Sequence, residues 1–485
     1  MKVYSFILLI LSIFINILFI LFYKLDMINS DEFIISNLLI YLCILIAVCL
    51  YLKYNNTIII LNPLFATLIA FGFSFYLPSI TDKFTSTDGF MTYTKENIVK
   101  TIILASCSLI SLISGFLIYE FIFKERFNNF IIKRTKIKTS NSLNIFNFYF
   151  ILILLTGLRV FSIVNGTYGY SASQDMIDNA PIYANIINTF AGFGDSLFIL
   201  VTIVFISKIN IKFSLNFIFY FLFIIQITFG ILSGFKGGII FPFFNYLIIF
   251  YLIKGKINYK FIILLFFGVV FSFFLIEPYR QLKKVNPDFK ITSISFSEYQ
   301  DMYNNFDIRG FFNNDENIII KYIFRKNLLQ TSATGINYYE NHNEILDKDS
   351  PEFLSKIFLS PFLTYIPRFL WKTKPINLDG LWYSNEVLSI PYYTFSPPGK
   401  IIYLYFAGGL VLLILGFIFI GIFQAFLVSF VNSSITSTFS IFIFFYFYDM
   451  SISLEQSYDY FLIGIFQAIF ILTVINKFII KKFNE

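Results

Sequence analysis

Long apolar stretches alternate with short polar ones along most of the chain, and a single wide polar interval breaks the rhythm between Glu277 and Lys400. A window of about 19 residues predicts spans at 3–23, 33–52, 58–78, 98–122, 143–164, 183–206, 213–232, 238–253, 260–276, 401–426, 434–449 and 459–478. Stretches of this length are what a helix needs to cross a hydrocarbon core about 30 Å thick. The pattern predicts an all-α polytopic integral membrane protein with about 12 transmembrane helices. One large loop, carrying short amphipathic helices, separates a bundle at 1–276 from a second bundle at 401–485; the loop itself is 277–400.

Composition agrees. Hydrophobic residues make up 57% of the 485 and charged ones 13%, about half the charge of a soluble domain. The net charge of +7 does not point to nucleic acid, because the basic residues sit in short loops between apolar runs. Cys43, Cys49 and Cys107 all fall inside such runs and read as small core hydrophobes. The first run is too long for a signal-peptide core, so it reads as a retained span.

Orientation follows from the short loops. Lys53, the group Lys124, Arg126, Lys133, Arg134, Lys136 and Lys138, then Lys208, Lys212, Lys254, Lys256 and Lys477, Lys481, Lys482 mark one side. Asp26, Asp31, Glu32, Asp175, Asp178, Asp449, Glu455 and Asp459 lie in the alternate loops. Both termini are therefore expected in the cytoplasm, and the 277–400 loop outside it.

Lysine fills most cationic positions, so the seven arginines carry information. Arg126 and Arg134 belong to the basic cytoplasmic loop. Arg159, Arg280, Arg309, Arg325 and Arg368 fall on or near the outer side. Arg159, in Leu155–Val160, is still inside an apolar span, where a cation is costly without a partner or a polar cavity. Lys236 lies in the turn Ser233-Gly-Phe-Lys-Gly-Gly238, where glycines let backbone N–H groups converge on an anion or simply make a hairpin. Arg280 closes Leu275-Ile-Glu-Pro-Tyr-Arg280, with Glu277 as an ion-pair partner or a base. Guanidinium forks match phosphate oxygens in a bidentate way, so this set suits a ligand with a phosphate head and a lipid tail.

In the loop, Ser350-Pro-Glu-Phe353 reads as a helix start. The apolar stripe Leu354, Ile357, Phe358, Phe362 and Tyr365 predicts an element lying along the membrane surface or dipping into it. Trp371, Trp382 and Tyr365 offer flat faces for sugar rings, or form an interfacial aromatic belt.

The stretch Tyr365-Ile-Pro-Arg-Phe-Leu-Trp-Lys-Thr-Lys-Pro375, followed by Thr394-Phe-Ser-Pro-Pro-Gly399 and a span opening Tyr403-Leu-Tyr-Phe-Ala-Gly-Gly409, resembles the signature of the bacterial oligosaccharide repeat-unit polymerases, the Wzy-type O-antigen polymerases. The detailed match covers about 45 residues, and the layout of spans agrees over the remainder. The resemblance implies a glycosyltransferase of the bacterial inner membrane that joins undecaprenyl-pyrophosphate-linked units on the periplasmic face. Donor and acceptor are both lipid-linked, and a chain-length regulator is an implied partner. It also implies no metal or other cofactor, because Arg159, Lys236, Arg280, Arg325, Arg368 and Lys374 would take the charge of the departing pyrophosphate. His342, the sole histidine, and Glu277 are the candidate bases, with Arg280 and Arg368 nearest the chemistry. An O-antigen ligase and a lipid-linked oligosaccharide flippase are the alternatives.

Overall fold

The computed structural model describes residues 2–54, 59–81, 91–125, 142–143, 145–164, 195, 197–207, 215–234, 236–285, 327–342, 352–363, 379–390, 396–433, 438–474 and 480–481. In chain order the helices are α1 (Lys2–Lys24), α2 (Ser30–Tyr54), α3 (Pro63–Phe71), α4 (Lys95–Ile118), α5 (Ile145–Val164), α6 (Leu197–Ser207), α7 (Leu215–Ser233), α8 (Lys236–Lys254) and α9 (Tyr259–Val285). The polar interval contributes α10 (Leu328–Asn341), α11 (Phe353–Leu363) and α12 (Asp379–Trp382). Then come α13 (Lys400–Ser433), α14 (Thr438–Ile452) and α15 (Tyr458–Val474).

Among the described residues, six helices are long and apolar enough to cross a membrane: Tyr4–Lys24, Ser30–Tyr54, Pro63–Ile80, Lys95–Phe123, Lys236–Lys254 and Lys400–Ser429. Shorter apolar stretches of 10–17 residues lie in α5, α6, α7, α9, α11, α14 and α15. Large apolar side chains such as Ile153 (70%), Phe266 (66%) and Phe267 (62%) face outward. In water such a surface is unfavourable, and a hydrocarbon bilayer removes the cost.

Local chemistry sets several starts. Asn62 accepts the Leu64 N–H at 2.9 Å ahead of Pro63, which needs no N–H partner at the first helical position. Thr94 and Asn97 form a reciprocal capping box on α4. Asn327 accepts the Leu329 N–H at 2.9 Å to open α10.

Two packed cores result. One joins α1–α4 to α13–α15 and to the three helices of the polar interval; the other joins α5–α8 around Phe198, Phe219 and Tyr246. In the first core α4 crosses α13 at close range, and Gln424 ties α13 to Thr67 (2.7 Å) and to the Ser451 carbonyl (3.0 Å).

Loops expected on one side do gather at one end of the bundle. Lys95 pairs with Asp31 at 2.6 Å, Lys100 with Glu340 at 2.9 Å, and Lys400 donates to the Met450 carbonyl at 2.8 Å. At another point Ser142–Leu143 pairs antiparallel with Ile480–Lys481, so the start of α5 and the C-terminal segment, both assigned to the cytoplasm by their charges, share one place.

Three expectations change. Helix α9 runs on to Val285, so Glu277 and Arg280 lie on a helix that continues into the start of the interval expected as loop. The helix expected from Ser350 begins at Phe353, while Ser350 and Pro351 lie outside the described residues. Helix α13 is broken at Gly408–Gly409, where Gly409 has φ +62° and ψ −151°, a region L-residues rarely enter. Its first two turns therefore fold back, with Leu404 against Gly416.

Candidate functional site

The polar interval folds onto the end of the bundle, and α10 is its anchor. Glu340 receives the Lys100 ammonium at 2.9 Å and the Asn97 amide at 3.3 Å, both from the first two turns of α4. Asn337 donates to the Thr92 carbonyl at 3.1 Å. On the far side Tyr383 donates to the Thr331 carbonyl at 2.7 Å. Its ring packs over Gly335, where a side chain would collide with the phenol.

Helix α10 ends at His342. Its backbone N–H donates to the Tyr338 carbonyl at 3.0 Å, and its ring Nδ1 lies 3.1 Å from the same oxygen. A carbonyl oxygen only accepts, so in the tautomer with its hydrogen on Nδ1 this contact is a hydrogen bond and Nε2 is the accepting nitrogen. The imidazole stacks on Tyr338 with centroids 4.4 Å apart, which fixes the ring. It borders an open pocket of about 420 Å3 lined by Thr92, Asn337, Asn341, Glu386 and Ser389 among others. Of the sequence candidates among the described residues, His342 lines a pocket of useful size.

A second group of ionisable side chains lies where α11, α12, α13 and α15 meet. Lys356 donates to Asp379, a carboxylate only 1% exposed. Asp459 is fully buried and accepts from Ser457 at 2.6 Å. The phenol of Tyr403 feels both carboxylates. Burial raises the Asp379 carboxyl above the ordinary carboxylate range; Lys356 opposes that shift and Asp459 adds to it.

The Ser396–Lys400 stretch secures this group. Ser396 N–H donates to Ser384 Oγ at 2.8 Å, Gly399 passes the Leu454 carbonyl where a Cβ would crowd it, and Lys400 N–H donates to that carbonyl at 3.0 Å. The Ser-Pro-Pro-Gly run is thus a clasp holding the segment after α12 and the α14–α15 connection to the start of α13. Neither Asp379 nor Asp459 stood out in the sequence as a site residue. The available signal was an aspartate opening an apolar run at Tyr458-Asp-Tyr-Phe461, where an acid is expensive without a partner.

Removing Lys356 should expose that expense. A carboxyl with a raised folded pKa favours the fold below its unfolded value and loses that contribution as pH climbs through the folded one. Lys356→Met takes that ammonium away from the buried Asp379, a loss of about 3–5 kcal/mol when the carboxyl is ionised. The thermal midpoint of the detergent-solubilised variant should fall clearly at pH 8 and much less at pH 5. An equal fall at both would contradict the assignment.

The remaining candidates are dispersed. Arg159 is buried in the second core, bonded to Asp195 at 2.8 Å and Gln226 at 3.0 Å and lying 5.0 Å from the Phe229 ring centre. The void beside it is about 10 Å3, space for one water at most, so in this arrangement Arg159 braces α5, α7 and the segment before α6. Lys236 is the first residue of α8. Gly238 beside it lets α8 touch α7 at Gly230, backbone to backbone, so at least one of the turn's glycines serves helix packing. Glu277 and Arg280 lie on α9; their side chains are outside what is described. Trp382 is half-buried behind Tyr338, 6.0 Å between ring centroids. Arg325, Arg368, Lys374, Trp371 and Tyr365, with Arg309, lie outside the described residues.

No family profile, no curated protein and no solved structure matches this chain.

Proposed function

We propose that the chain is a membrane glycosyltransferase that polymerises undecaprenyl-pyrophosphate-linked oligosaccharide repeat units into O-antigen or a related surface polysaccharide, on the periplasmic face of a bacterial inner membrane. The observation that carries this reading is His342. It is an imidazole held against Tyr338 and set at a polar pocket at the end of an apolar helix bundle. The likeness of 365–409 to the polymerase signature supports it independently.

In the reaction, the acceptor sugar's hydroxyl oxygen attacks the anomeric carbon of the donor glycan. The bond from that carbon to the pyrophosphate oxygen breaks, and undecaprenyl pyrophosphate leaves with the electron pair. The hydroxyl proton passes to Nε2 of His342. Cations offset the charge growing on the leaving diphosphate. Arg280, Arg325, Arg368, Lys374 and Lys236 are the candidates for that role, while Arg159 already has its partners.

Deleting the gene in its host separates this reading from its rivals. A polymerase deletion should leave surface lipid capped with a single repeat unit, visible as one band above uncapped core on a gel. Uncapped core alone would indicate a ligase or a flippase, and an unchanged ladder would end the proposal.

A further inference from the structure

The lining of the 420 Å3 pocket at His342 is chemically selective. It offers hydroxyls from Thr92 and Ser389, carboxamides from Asn337 and Asn341, and one carboxylate, Glu386. Among the described residues no lysine or arginine lines it. A diphosphate needs donors and positive charge, and here it would meet a carboxylate instead. An apolar ligand would strip water from several polar groups without replacing their hydrogen bonds. A neutral polyhydroxylated ring fits both counts, because each of its hydroxyls donates and accepts, as do the amides and hydroxyls of the wall.

The shape agrees. The stacked Tyr338–His342 pair, with Val387, provides flat and apolar surface for the C–H face of a sugar. The two amides are already set: Asn341 donates to Asn337 Oδ1 at 3.2 Å, and Asn337 donates to the Thr92 carbonyl. Their orientation is therefore fixed before any ligand arrives, which lowers the ordering cost of binding. The volume falls within the range typical of small-molecule sites.

From this we infer that the pocket is a subsite for a neutral sugar ring, and that within the proposed polymerase, on which this assignment of role rests, it holds the non-reducing-end sugar of the acceptor. The donor brings its diphosphate to the reacting carbon and so belongs on a cationic surface. The acceptor brings only a hydroxyl, and this pocket places one beside the His342 ring. Specificity for the acceptor sugar then resides in Asn341, Glu386 and Ser389.

Saturation-transfer NMR on the full chain in nanodiscs tests the assignment. The probes are the methyl glycosides of glucose, galactose and N-acetylglucosamine, with inorganic pyrophosphate as competitor. At least one glycoside should give a signal that pyrophosphate leaves unchanged. That signal should be lost in the double variant Asn341→Ala/Glu386→Gln. Both side chains are exposed, and the variant's melting temperature and elution profile are checked so that loss of fold is not read as loss of binding. Silence from all three glycosides, displacement by pyrophosphate, or a signal that survives the double substitution would each overturn the subsite. The polymerase reading stands or falls separately: glycoside binding beside an unchanged ladder in the deletion strain would remove the enzyme and keep the sugar site.

Discussion

Replacing His342 with alanine is expected to cut the rate of repeat-unit joining by about 10²–10⁴-fold, the range that a positioned general base contributes. In cells, the polymer ladder should collapse to one or two units at an unchanged level of protein in the membrane. The geometry makes this substitution unusually clean. His342 is the cap of α10 and not part of its buried face, and its backbone N–H bond to Tyr338 does not depend on the ring. The fold should therefore survive and the loss should fall on turnover. A base also leaves a signature that a structural residue does not. Imidazole added to the purified alanine variant should restore part of the activity, by refilling the space against Tyr338. A normal ladder in His342→Ala, or a loss that imidazole fails to relieve, would show that the proton goes elsewhere.

What the chain declares in its sequence is what the bilayer demands of it. Among the described residues the apolar runs are helical, six of the helices being long and apolar enough to cross a membrane, because a lipid-exposed backbone has no other way to satisfy its polar groups. The caps at Asn62 and Thr94 are local and equally legible. His342 was visible by its rarity. The Lys356–Asp379–Asp459 group was not, because its members are 23 and 80 positions apart and meet only when α11 and α12 fold against α15. Arg159 shows the limit from the other side. Its cost inside an apolar span was readable, but its partner Asp195 lies 36 positions along the chain, in what reads as another apolar run. The break in α13 hid for a similar reason: Gly408–Gly409 looks like a permissive site in a span, and only the contact of Leu404 with Gly416 gives it a purpose.

The largest effect on folding is expected at the crossing of α4 and α13. A Cβ built on Gly421 would fall on the Leu112 carbonyl oxygen, and one built on Gly115 would fall on the Ile418 carbonyl oxygen. Each glycine thus receives the other helix's backbone, an arrangement that close helix packing in lipid favours because small residues bring backbones within van der Waals reach. The obstacle to a larger residue is main chain and not a flexible side-chain end, so rotamer change cannot relieve it. The two helices would have to part along a seam that also holds the Tyr119–Ser429 bond at 2.7 Å. Because α10 stands on α4, parting would also disturb the clamp of Glu340 on Lys100 and with it the pocket. Gly421→Val should therefore abolish the monodisperse elution peak and leave little protein in the membrane. Gly157→Val is the control, since nothing lies within 4 Å of the site where its Cβ would stand, and it should accumulate near wild-type levels. Equal accumulation of both variants would mean that the crossing is looser than its backbone contacts require, and that α13 is held to the bundle by its polar ties to Thr67 and Ser451 instead.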